Sequence, residues 1–124
     1  MNKILLVFLG GGLGSSFRYL IGILFNRNDF LTPYGTFFVN IFGSFLIGIL
    51  AGYNLRTLNL NHEYQALLIA GFLGGFTTFS SFAFENLIMI QSGKFLLFAA
   101  YFLTTLIVGL FSVGLGYYLS TYIK

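Results

Sequence analysis

An all-α integral membrane protein with four spans, the third broken near Gly74-Gly75, is the fold this sequence predicts on three observations. Of 124 residues 57% are hydrophobic and only 7% charged, with a mean hydropathy of +0.90, whereas charged residues make up about a quarter of a soluble domain. Four apolar segments of membrane-crossing length, at about 4–25, 34–53, 64–91 and 95–123, are separated by short polar stretches. The third would be about 42 Å long as one unbroken helix, against about 30 Å of bilayer hydrocarbon.

The same composition narrows function. No hydrophilic stretch is long enough for a soluble domain, a nucleotide fold or a nucleic-acid module, so the expected surroundings are the lipid bilayer and no nucleic acid. Cysteine is absent, which removes disulfides and thiolate metal chemistry. The net charge of +3 is six cations against three acids, and the cations, Lys3, Arg18, Arg27, Arg56, Lys94 and Lys124, are scattered singly as loop charge rather than gathered in a patch. Three acids and one histidine supply no Ser/His/Asp set, carboxylate pair or metal cluster, so an enzyme is not expected.

Span one follows a single lysine and lacks an A-x-A-like cleavage site, so it reads as a retained helix. Gly10, Gly11, Gly12, Gly14 and Ser15 give it a small-residue face for close helix packing. GGGLG has neither the flanking strand nor the downstream acid of a nucleotide loop. Arg18 lies about two-thirds of the way along, where a charge must snorkel to an interface or meet a wet vestibule. A short polar loop, 26–31, leads to Thr32-Pro33, which reads as an N-cap with proline in the first helical position.

Span two repeats Thr36, Asn40 and Ser44 every four residues, a polar ladder on one face of an apolar helix. Two readings fit it: interhelical hydrogen bonds worth about 0.6–2 kcal/mol each, or donors along a pathway. The longest loop, 54–63, holds Arg56, Glu63 and His62, the one histidine, which reads as a solvated loop residue.

Span three contains GGFTTFSSF from Gly74 to Phe82. Paired glycines weaken a helix, and Thr77, Thr78, Ser80 and Ser81 offer hydroxyls to the freed backbone. A broken helix survives in lipid where its open groups are buried in protein, line a wet cavity or hold an ion. Phe79 and Phe82 share a face, either as packing surface or with positive ring edges turned to an anion. Glu85 lies near enough to the end of the span to reach interfacial water or a basic partner, and Ser92-Gly93 turns the chain into span four.

Span four is long enough to require tilt or an interfacial extension. Tyr101, Thr105 and Ser112 form a second hydroxyl stripe, and Tyr117, Tyr118 and Tyr122 an aromatic belt. Four spans put both termini on one side, and so few helices cannot wall a polar path alone, so a homo-oligomer is expected. Lys3, Arg56 and Lys124 on the terminal side face Arg27 and Lys94 on the other, with Arg18 embedded. That is hardly a bias, and it predicts insertion in both orientations and an antiparallel homodimer.

The segments GGGLGSSFRY, GTFFVNIFGSFLIG and GFLGGFTTFSSFAFE, in a four-span chain of this length, resemble the CrcB/Fluc family of bacterial fluoride channels over essentially the whole chain. The resemblance implies passive, fluoride-selective export across the bacterial plasma membrane by an antiparallel dimer. It also implies a structural sodium ion on the dimer axis, held by the main-chain carbonyls of Gly74 and Thr77. Its pathway residues would be Asn40, Phe79, Phe82, Tyr101, Thr105 and Ser81; Ser81 and Ala83 stand where many members have threonine and serine. A proton-coupled four-span exporter is the main competitor, but spans one and two contain no carboxylate to carry its proton. A non-transporting assembly subunit would require neither the polar ladders nor the break.

Overall fold

The computed structural model describes residues 2–26, 31–57 and 61–123, and these are helical almost throughout. Among the described residues, four stretches are long and apolar enough to cross a membrane: Lys3–Phe25, Tyr34–Arg56, His62–Gln91 and Phe95–Tyr122. Large apolar side chains are exposed all round them, with Leu96 86% and Leu24 77% exposed, as a bilayer rather than water as solvent requires. Arg27, Lys124 and most of the 26–31 loop lie outside the described residues.

Helix α1 is Lys3–Asn26 and α2 is Tyr34–Thr57. The entry to α2 differs from expectation by one residue. The Phe37 amide donates to the Pro33 carbonyl (3.0 Å), so Pro33 caps the helix and Tyr34 begins it. The exit also differs, because α2 runs on through Asn54 to Thr57. Arg56 holds that extra turn: its Nε donates to the Gly52 carbonyl (3.1 Å), while Nη2 reaches the Tyr117 carbonyl (3.3 Å) and the Ser120 hydroxyl. A cation suits a helix C-terminus, where the carbonyl dipoles gather.

The third span has three parts before its interruption: an α-turn His62–Tyr64, a π-helix Gln65–Leu73 and an α-turn Gly74–Phe76, together α3. Asn61 caps it, its Oδ1 accepting the Glu63 amide (3.1 Å). After the interruption, α4 is Phe79–Gln91. Gly93, at φ 70°, turns the chain; the amides of Gly93 and Lys94 return to the carbonyls of Ile90 (3.0 Å) and Met89 (2.9 Å), the glycine-terminated end typical of helices. Helix α5 is Phe95–Leu119, finished by a 3₁₀ turn Ser120–Tyr122.

Glycine contacts pair the spans. A Cβ on Gly10 or Gly14 would strike the backbone oxygen of Leu67 or Phe72, and one on Gly75 would lie 2.5 Å from the Gly11 oxygen, so α1 and α3 touch backbone to backbone. Gly48 and Gly116 do the same for α2 and α5. Helix α4 lies against α2 and α5, where Phe82, Met89 and Tyr101 are buried with Phe37, Phe98 and Phe102 around them.

The interruption is not where the glycines are. Gly74 has φ −62°, ψ −36°, an ordinary helical conformation, and the extended residues are Thr77 (φ −81°, ψ 157°) and Thr78 (φ −147°, ψ 118°). Gly75 serves close approach to α1, while side-chain capture of the backbone of Thr78 breaks the helix.

Candidate ion pathway at the broken third span

Asn40 makes that capture. From α2 its Nδ2 donates to the Thr78 carbonyl (3.0 Å) and its Oδ1 accepts the Thr78 amide (2.8 Å). A primary amide can reproduce a backbone pair in this way, which is what asparagine offers and aspartate does not. The capture removes the donor that a continuous helix would have given to the Gly74 carbonyl, since the amide four residues on is that of Thr78. Thr78 is also the N-cap of α4: its Oγ1 accepts the Ser81 amide (3.2 Å), which is thereby withdrawn from the Thr77 carbonyl. Its hydroxyl also bonds those of Ser81 (3.1 Å) and Ser80 (3.2 Å).

Two helix ends therefore meet in the middle of the span. The C-terminal end of α3 carries carbonyl dipoles and the N-terminal end of α4 carries amide dipoles. Both border an open cleft of about 430 Å³ lined by Asn40, Ser44, Gly74, Thr77, Thr78, Phe79, Phe82 and Thr105 among apolar neighbours. Among the described residues, no charged side chain lines it. Phe79 stands 80% exposed beside it, whereas Phe82 is 4% exposed; their ring centroids are 6.1 Å apart.

Of the residues singled out in the sequence, the cleft gathers Asn40, Gly74, Thr77, Phe79, Phe82 and Thr105. Tyr101 and Ser81 are not in its lining. Tyr101 is buried against the Phe82 ring (5.3 Å between centroids), and Ser81 bonds the cap of α4. The Thr105 hydroxyl donates to the carbonyl of Tyr101 (2.7 Å) within its own helix.

Glu85 behaves differently from expectation, and Arg18 finds a partner inside the protein. Glu85 is buried, and it meets hydroxyls rather than interfacial water or a basic partner: Thr36 Oγ1 donates to Oε1 (2.6 Å) and the Tyr101 phenol to Oε2 (2.9 Å). The foot of the span-two ladder and the head of the span-four stripe thus converge on one carboxylate. Arg18 finds a partner on the third span, its Nε donating to the Gly75 carbonyl (2.9 Å). Thr78 was missed as a central residue although a threonine directly before a helix is an N-cap signal. No spacing along the chain announces the Thr36–Glu85–Tyr101 meeting, because it joins three separate helices.

Four apolar spans and an interrupted third span, with a mostly apolar cleft carrying a few polar groups at the interruption, define a multi-pass membrane protein. The family model described as "CrcB-like protein, Camphor Resistance (CrcB)" matches residues 5–117. The chain belongs to this family. Its relatives include proteins named fluoride-specific ion channel FluC from Azobacteroides pseudotrichonymphae, 42% identical over 98% of this chain and 98% of the relative. Those of Phocaeicola vulgatus (40% identical; 97% and 99% covered) and Gloeothece citriformis (45% identical; 96% and 97% covered) carry the same name.

Proposed function

We propose that this chain is a fluoride channel, passively releasing fluoride from the cytoplasm across the bacterial plasma membrane. The observation that carries the reading is the cleft where the α4 amide end, the Asn40 amide and the Phe79 and Phe82 rings meet without a fixed charge. Fluoride gives up its water only to hydrogen-bond donors, and amide, hydroxyl and aromatic C–H donors replace that shell without holding the ion too tightly to leave. Asn40 spends one Nδ2 hydrogen on Thr78 and retains the other. Hydrogen fluoride enters acid-exposed cells as the neutral acid and ionises inside. An interior potential of −100 mV then favours expulsion of the anion by about 2.3 kcal/mol, so no pump is needed.

The working unit is an antiparallel homodimer. Phe79 and Gly74 are exposed in mid-span beside polar groups, a surface better covered by protein than by lipid. A second copy related by a two-fold axis in the membrane plane brings the two interruptions together. The near-even charge count supports insertion in both orientations.

A sodium ion fits the same place. The Gly74 and Thr77 carbonyls have lost their helical donors to Asn40 and Thr78, and two copies offer four hard oxygens at the negative ends of two helices. When bound, the ion supplies a fixed positive charge that favours anions nearby.

Liposomes containing the purified protein and loaded with fluoride or chloride test the proposal. Fluoride efflux with little chloride efflux and no stoichiometric proton exchange is expected. Comparable chloride efflux would refute selectivity, and obligatory proton exchange would favour a coupled exporter.

A further inference from the structure

We infer that Arg18 is a positioning residue for the interruption in the third span, holding the Gly75 carbonyl away from the proposed cation site and fixing the height of the break against α1. The inference rests on the proposed function only for its sodium consequence.

Gly10, Gly14 and Arg18 are spaced by four, so they lie along one face of α1. The first two bring that helix into backbone contact with α3 at Leu67 and Phe72. One turn further on, the Nε of Arg18 donates to the Gly75 carbonyl (2.9 Å). Backbone contact without intervening side chains leaves little freedom to slide, and the guanidinium then marks where the helix ends.

The hydrogen bond also sorts the carbonyls. Arg18 occupies that of Gly75 and Asn40 that of Thr78. Gly74 and Thr77 lie between or beside these occupied groups, and both lack the amide that a continuous helix would supply. Two side chains on two other spans therefore occupy two of the backbone oxygens at the break and leave those of Gly74 and Thr77 open. Arginine suits this task because Nε–H lies in a rigid plane; lysine carries the charge without the plane.

The test uses Arg18→Ala and Arg18→Lys in the purified full-length protein, read by amide hydrogen exchange and by sodium-dependent fluoride efflux. Loss of a charge-assisted hydrogen bond is expected to speed exchange at 77–81 by about 10-fold. Exchange at 98–105 should not change, and Arg18→Lys should fall between the alanine variant and the parent. The sodium concentration for half-maximal flux should rise in the same order. Unchanged exchange at 77–81 in folded Arg18→Ala overturns the inference, even where fluoride flux falls, because Arg18 would then act on the anion alone. Faster exchange in a protein whose flux ignores sodium supports the positioning role and rejects the sodium reading. Where Arg18→Ala yields no folded protein, Arg18→Lys decides by the same two measurements.

Discussion

Asn40→Asp exchanges two atoms for one another in size and reverses the role of one. Oδ1 can still accept the Thr78 amide, but the second oxygen now faces the Thr78 carbonyl where Nδ2 stood 3.0 Å away. An acceptor left without its donor costs about 1–3 kcal/mol, and a carboxylate within a span adds about 2.5–3.5 kcal/mol. Even the lower end of that sum, about 3.5 kcal/mol, corresponds to about a 300-fold loss of the intact arrangement. Fluoride efflux from liposomes, followed with a fluoride electrode, should accordingly fall at least 100-fold. Asn40→Ala removes the pair without adding charge and should retain more flux than Asn40→Asp. Dimer content by size-exclusion chromatography separates loss of pathway from loss of fold. Asn40→Asp flux within twofold of the parent, in protein that remains dimeric, would refute both the Thr78 capture and the donor role.

Phe79→Ile and Phe82→Ile should both reduce flux in efflux assays while the proposed dimer persists, but thermal unfolding should separate them, since of the two only Phe82 is buried in the single chain. A shared, unaltered flux would return both rings to a packing role. Gly14→Ala should sharply lower the yield of folded protein, its Cβ meeting the Phe72 carbonyl, whereas Gly22→Ala, with nothing within 4 Å, should be tolerated; equal yields would contradict the backbone contact between α1 and α3. Adding two or three lysines to the 26–31 loop should impose one orientation and lower activity in cells unless an oppositely biased copy is supplied. Full activity from one imposed orientation would refute the antiparallel dimer.

The spans were legible because bilayer thickness and apolar length are read directly from composition. Legibility failed at backbone detail. Gly74-Gly75 looked like the breaking point because glycine is a poor helix former, yet in a bundle its small size matters more, and α1 uses Gly75 for contact. What breaks the helix comes from Asn40, 38 residues away, and no local propensity contains that information. Asn40 itself was visible as an amide at membrane depth, and the cleft does collect it with Phe79 and Phe82. Glu85 was misread through its distance from the span's end, since position along a helix says nothing about which hydroxyls on other helices surround it.

The π-helical stretch Gln65–Leu73 has a consequence for chain length. Each of its hydrogen-bonded loops holds one residue more than an α-helical loop does. Removing a single residue there can be absorbed by reverting one loop to α-helical spacing, leaving Gly75, Thr78 and everything downstream facing as before. The same deletion in α2 has no such reserve and would rotate all that follows by about 100°, carrying Asn40 or its neighbours off their face. This one stretch therefore gives the third span a place where its length can change by a residue while the interruption stays in register.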